Sequence, residues 1–185
     1  MKIAIGQIGT DADKTANFAL VAQAVITAAM NHARLILFPE ATMRAFGTGR
    51  LDEIAEPLDG PFVSALAGLA KNYNIAIVVG MFRPADQHVV SGRTINRVYN
   101  TTVAICPDGT VVHYDKIHTY DAFGYRESDT IKPGKNLVTF TYNAVTFGLA
   151  TCYDLRFPQQ FRQLARRGAD IILVPTSSKD RKSVV

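Results

Sequence analysis

A thiol, a carboxylate and an amine, each expected at the end of a strand, are the reactive groups this sequence offers. Cys152 follows the apolar run 145–151 and precedes a helix expected from Phe157. A strand–turn–helix junction exposes such a side chain at the edge of a sheet. It also aims the backbone N–H groups beyond it at one point, which suits a nucleophile and an oxyanion site together. Glu40 comes directly after the apolar run 35–38 and Pro39. Lys116 ends the run 110–115, and alternation puts it on the face of Val112, expected to be the inner one.

Read singly, each has a plainer use. A lone cysteine is usually a small buried hydrophobe, and Cys106, beside Pro107 in a hairpin strand, fits that better than Cys152. Glu40 and Lys116 could each start a surface loop. Read together, they meet three separate needs. A thiol needs a base to become a thiolate and a nearby cation to stabilise it. The tetrahedral oxyanion needs donors, each worth on the order of 3 kcal/mol. Histidine is the rival base. Of the four histidines, His32 lies at a helix end, His88 in an expected polar loop, and His113 on the strand face opposite Lys116. Only His118 is near, and no papain-like signature surrounds Cys152.

These groups need a scaffold. Residues 3–8, 35–38 and 75–81 read as buried strands, separated by a helix from about residue 14 to His32 and a second opened by Asp59-Gly60-Pro61. The first helix shows a stripe of Phe18, Val21, Val25, Ile26 and Met30, and the second one of Ala65, Leu66, Leu69 and Ala70. Pro107-Asp108-Gly109 reads as a hairpin turn between 98–106 and 110–115. Strands follow at 137–142 and 145–151, then a helix over 157–167 closed by Gly168, then a buried strand over 171–174. Helices alternating with strands, then hairpins, predict a mixed sheet with helices on its outer face, and ligands at the strands' carboxyl ends.

Composition agrees. The 185 residues are 48% hydrophobic and 19% charged, below the roughly 25% charge of ordinary soluble domains. That suits strands buried on both faces and argues against disorder. The net charge of +4 is scattered apart from Arg162, Arg166 and Arg167 and a tail with Lys179, Arg181 and Lys182. Without interleaved aromatics these read as a solvated face, so no nucleic-acid partner is expected. The apolar stretch 18–30 is interrupted and too short to span a bilayer. Two cysteines make no disulfide framework, and no leader pattern opens the chain, so a cytoplasmic protein is expected. No metal-ligand cluster or glycine-rich phosphate loop appears, and no cofactor is expected.

Four ordered motifs carry a resemblance: LILFPEA around Glu40, YDKIH around Lys116, GYRESDTIKPG around Glu127 and FGLATCYDLRFPQQF around Cys152. IAIGQI, DGPFVSALAGLAKNYNIAIVVG and ADIILVPTS fit as well. Over nearly its whole length the chain resembles the nitrilase superfamily of carbon–nitrogen hydrolases. The resemblance implies one domain over 1–185, an α/β αββα sandwich, and a homodimer of αββααββα layering or a larger assembly. It implies Glu40, Lys116 and Cys152 as catalytic triad and Glu127 as a second glutamate positioning substrate and lysine. From the residues alone, Glu127 reads as an exposed loop carboxylate.

The CYDLRFP form is similar to the omega-amidase and deaminated glutathione amidase branches, rather than to true nitrilases, where tryptophan commonly follows the cysteine. Here Tyr153 follows, and the chain has no tryptophan. The expected function is hydrolysis of a small linear amide through a thioester, with the Tyr153 backbone N–H as a second oxyanion donor. Arg156, or Arg126, is a candidate for binding a substrate carboxylate, and for each a surface ion pair is the plainer use. Family chains continue past the VPTS strand, whereas this one stops at Val185, so it reads as C-terminally incomplete. The alternatives are a non-catalytic remnant serving interaction or structure, and acyl transfer to an amine by the same thioester.

Overall fold

The computed structural model describes residues 1–177; Lys179, Arg181 and Lys182 lie outside the described residues. Two sheets stack face to face. The first has five strands in sequence order: β1 (Ile3–Ile5), β2 (Leu35–Leu37), β3 (Ala76–Val90), β4 (Arg93–Ile105) and β5 (Val111–Asp115). β1, β2 and β3 run parallel, and β3, β4 and β5 antiparallel. The parallel connections need crossovers, which α1 (Lys14–Met30) and α2 (Pro61–Tyr73) supply. Asp13 caps α1 by accepting from the N–H groups of Thr15 and Ala16. Pro61 opens α2, and Asn74 closes it in the left-handed region, with φ 49°.

The second sheet contains β8 (Val138–Tyr142), β9 (Val145–Leu149) and β10 (Ile171–Leu173), with β9 central. Between the sheets in sequence lies a short ribbon, β6 (Asp121–Ala122) and β7 (Tyr125–Arg126). α3 (Pro158–Arg166) follows the second sheet's central strand.

Alternation sorts the strand residues into two cores. Ile36, Ile77, Val79 and Val103 face α1 and α2, meeting Val21, Val25, Phe62 and Leu66. Their neighbours Leu35, Ala76, Val78, Ala104 and Tyr114 face the second sheet, meeting Phe140, Phe147, Leu149 and Leu173. On β9, Phe147 and Leu149 point inward, while Gly148 points toward α3. A Cβ on Gly148 would come within 3.3 Å of Leu164. The layers are therefore helix, sheet, sheet, helix, the expected αββα sandwich.

Several local expectations change. In α2 the buried face is Phe62, Val63, Leu66 and Ala70, and Ala65 is exposed. In α1, Ala28 is buried and Met30 exposed at the helix end. The largest difference is at residues 82–98, where β3 and β4 continue into a long hairpin paired up to Val90 and Arg93. His88 is in that hairpin, not in a loop. Charged and polar residues hid these strands, because only their inner halves are buried and only there does apolar patterning show.

Candidate active site

Glu40 is set by a tight turn at the end of β2. Ala41 adopts a left-handed φ of 57°. The Thr42 hydroxyl donates to the Pro39 carbonyl at 2.7 Å, and the Met43 N–H donates to the Gly80 carbonyl at 3.2 Å. The turn lies directly on β3 at Gly80, where a Cβ would come 2.6 Å from the Ala41 nitrogen and 2.9 Å from the Glu40 Cα. Glycine is required there because backbone, not a movable side chain, fills the space.

Lys116 follows β5. Its N–H donates to the Asn100 carbonyl at 2.9 Å, and its carbonyl accepts from the Gly134 N–H at 2.8 Å. Cys152 follows β9 and opens a 3-10 turn, Cys152–Arg156, with its own φ at 48°. Thr151 and Asp154 form a reciprocal capping box around that turn. The Cys152 N–H donates to the Pro175 carbonyl beyond β10 at 3.0 Å.

These elements bring together the residues expected to share a site. Glu40, Lys116 and Glu127 are only 1%, 2% and 3% exposed. Lys116 Nζ donates to Glu127 Oε1 and Oε2 at 3.0 and 2.9 Å, and to Glu40 Oε1 at 3.2 Å. Glu127 is thus a buried partner of the lysine, not an exposed loop carboxylate. Burial disfavours the Lys116 ammonium, but the charges of Glu40 and Glu127 outweigh it and push its pKa up. Two carboxylates and one ammonium leave a buried net negative charge, which further donors stabilise. The Tyr120 N–H reaches Glu127 Oε2 at 2.6 Å, and the Ser177 N–H reaches Glu40 Oε2 at 3.2 Å.

The Cys152 thiol feels this charge. Burial, then the Glu40 carboxylate, push its pKa up to about 12, with Lys116 only partly opposing them. At neutral pH the group is a thiol, and it needs a base at the moment of attack. Cys106 is also pushed up, to about 11, chiefly by burial, and packs in the core between the sheets.

Among the described residues, the Tyr153 N–H has no hydrogen-bond acceptor. Its ring packs edge-on against Tyr120 at 5.0 Å. Arg156 is exposed and forms no ion pair among the described residues. Arg126 is exposed too and lies 3.5 Å from Asp129. The sequence reading missed two residues. Asn100, in β4, donates from Nδ2 to Glu40 Oε1 at 2.7 Å, the oxygen that Lys116 also reaches. Asp154 is fully buried, and accepts from the Tyr114 hydroxyl at 2.5 Å, the Thr151 N–H at 2.9 Å and the His118 N–H at 3.0 Å. The Thr-x-x-Asp spacing was a capping signal available in the sequence; Asn100 had only its polarity in an apolar strand. His118, the rival base, is held at Nδ1 by Asp154 at 2.7 Å and stacks on Phe157 at 3.6 Å. Among the described residues no three His, Cys, Asp or Glu side chains converge as metal ligands would.

The arrangement gathers a carboxylate, an ammonium and a thiol at the ends of three strands. Comparisons with known proteins place the chain in a family. A hydrolase of Mycobacterium tuberculosis, Rv0480c, is 41% identical over 180 residues, covering 96% of this chain and 61% of that protein. An (R)-stereoselective amidase of Pseudomonas sp is 31% identical over 182 residues, covering 97% of this chain and 61% of the amidase. The chain thus spans about 61% of the length of these curated relatives. Among solved structures, a variant of the amidase from Nesterenkonia sp. AN1 superposes with a TM-score of 0.77 at 25% identity, covering 98% of this chain and 69% of that one. That structure shows the Michael addition of acrylamide at its active site cysteine. The family profile described as carbon-nitrogen hydrolase matches residues 2–184, and the chain belongs to that family, with the nitrilase-superfamily fold.

Proposed function

We propose that this chain hydrolyses the carbon–nitrogen bond of a small linear amide through a thioester on Cys152. The observation that carries the reading is the Cys152 turn set beside the buried Glu40–Lys116–Glu127 cluster, whose charges act on its thiol. Glu40 takes the thiol proton as sulfur attacks the carbonyl carbon. The carbonyl π electrons move to oxygen, where the Lys116 ammonium and the Tyr153 N–H receive the charge. Collapse of this intermediate breaks the C–N bond, and protonated Glu40 gives its proton to the leaving ammonia or amine. Water then attacks the thioester with Glu40 as base, releasing the carboxylic acid and restoring the thiol. Glu127 holds Lys116 in place throughout, and Arg156, which ends the turn that Cys152 opens, is a partner for a polar substrate group.

The acrylamide adduct at the cysteine of the related amidase supports the choice of nucleophile. Among the described residues no helix is long and apolar enough to cross a membrane. With its two free cysteines, the chain is assigned to the cytoplasm, and a homodimer is its proposed assembly. Intact-mass analysis after rapid quenching tests the reaction. An acyl adduct on Cys152, absent in Cys152→Ala and released as a hydroxamate by hydroxylamine, is expected. An adduct on Cys106, or full activity in Cys152→Ala, would overturn it.

A further inference from the structure

Beside the catalytic cluster lies a cleft of about 820 Å³, between the loop after β2 and the β3–β4 hairpin. Its volume is within the ordinary range for small-molecule sites. Phe46, Leu51, Val90, Ile95, Val98 and Tyr125 give it apolar walls. The walls are held together rather than merely adjacent. Asp52, on the loop, accepts from Asn96 of the hairpin at 3.2 Å. Arg50 grips the same carboxylate at 3.1 and 2.7 Å, so its charge is already matched. Arg93 sits at the exposed hairpin turn, on the outer rim.

One end of the cleft is walled by the segment that carries Glu127. Tyr125 lines it and stands two residues before Glu127. Burial raises the pKa of the Tyr125 hydroxyl, and Glu127, Lys116 and Glu40 all act on that hydroxyl. Thr130, also in the lining, donates its N–H to the Glu127 carbonyl at 3.1 Å. The backbone that carries Glu127 is therefore part of the cleft wall.

We propose that this cleft receives the acyl arm of the substrate and selects amides of medium-length hydrocarbon acids over the shortest ones. This rests on the amide-hydrolase reading above. The acyl part stays on Cys152 through both half-reactions, whereas the amine leaves after the first. A preformed cleft next to the cluster thus serves the acyl arm twice. Hydrocarbon is the chemistry its apolar residues fit, since of the polar lining Arg50 and Asn96 are bonded to Asp52, while Ser91, Arg93 and Thr94 are exposed at the hairpin turn.

The test compares acetamide with hexanamide, using kcat/KM for the 185-residue chain and for two cleft-filling variants from opposite walls, Ile95→Trp and Leu51→Trp. Each buried methylene is worth about fourfold and hexanamide has four more than acetamide, so it is expected to exceed acetamide by about 16-fold with two of them buried and about 250-fold with all four buried. That ratio should collapse toward one in whichever filled variants fold. A ratio near one in the unmodified chain, or a high ratio surviving in the folded filled variants, overturns the proposal. If neither amide is hydrolysed, the hydrolase reading fails separately, and binding decides on the cleft. Calorimetry on Cys152→Ala should then show hexanamide bound at least tenfold tighter than acetamide, with the difference lost when Ile95→Trp or Leu51→Trp is added. Equal or absent binding of both amides overturns the cleft assignment.

Discussion

At the scale of single residues, Glu40 does two opposed things to Cys152. Its charge disfavours the thiolate, and the thiol's pKa rises to about 12 with burial and Glu40 as the leading causes. Yet in the proposed mechanism the same carboxylate takes the proton, His118 being committed to Asp154. The two effects separate in Glu40→Gln. Removing a negative charge beside the sulfur favours the thiolate, so the thiol titrates at lower pH. Removing the base stops attack on an unactivated amide. Alkylation of Cys152 by iodoacetamide, followed against pH, should therefore shift to lower pH in Glu40→Gln. Amide turnover should fall by about a hundredfold to ten-thousandfold. A shift to higher pH, or retained turnover, would refute the assignment of Glu40 as base. Asn100 donates to the Glu40 oxygen that also accepts from Lys116, so this carboxylate is oriented from two sides before substrate arrives.

At the scale of elements, the site depends on how closely two backbones approach. The turn after β2 carries Glu40 across β3 at Gly80, with no room for a methyl group. In Gly80→Ala the turn must move. Overpacking of this kind costs about 1–3 kcal/mol, and a displacement of about 1 Å at a catalytic group costs about a hundredfold in rate. At Gly68, on α2, an added methyl group would have nothing within 4 Å, and alanine there gains about 1 kcal/mol of helix propensity. Melting curves and kcat should therefore separate the pair: Gly80→Ala less stable and about a hundredfold slower, Gly68→Ala more stable and unimpaired. Equal behaviour of the two would show that the close approach does not position Glu40. The same contrast explains what could be read in advance. Strands β2 and β9 are covered on both faces and announce themselves as apolar runs, so Glu40 and Cys152 were placed by their flanks; β10 reads as a buried run too, yet it is an edge strand with Ile171 exposed. Glu127 sits in a polar, irregular stretch, and its carboxylate is held by Lys116, Tyr120 and Asn100 from elsewhere in the chain. No local pattern encodes that, and only the family resemblance pointed to it. The outer half of the β3–β4 hairpin is likewise stitched by side-chain pairs such as Arg97 with Asp86, and not by an apolar face.

At the scale of the whole molecule, the nucleophile's turn carries an exposed apolar residue. Leu155 lies between the buried Asp154 and Arg156 and is 64% exposed, and Phe123, at the tip of the β6–β7 ribbon, is 97% exposed. Leucine in a turn that otherwise hydrogen-bonds inward gains nothing from water, and covering it by a second copy would bury it. The proposed homodimer uses this surface. Because Leu155 and Cys152 share one short 3-10 turn, association there would also brace the nucleophile. Light scattering with size exclusion should give twice the 20.2 kDa chain mass at micromolar concentration. Leu155→Glu should shift the chain toward monomer, since a buried unpaired carboxylate opposes the interface. If the turn is braced by the partner, the same variant lowers kcat and leaves the melting temperature of the monomer nearly unchanged, because the residue is exposed within one chain. A stable monomer for the unmodified chain rules out the assembly. A dimer untouched by Leu155→Glu moves the interface to another face and severs it from the nucleophile.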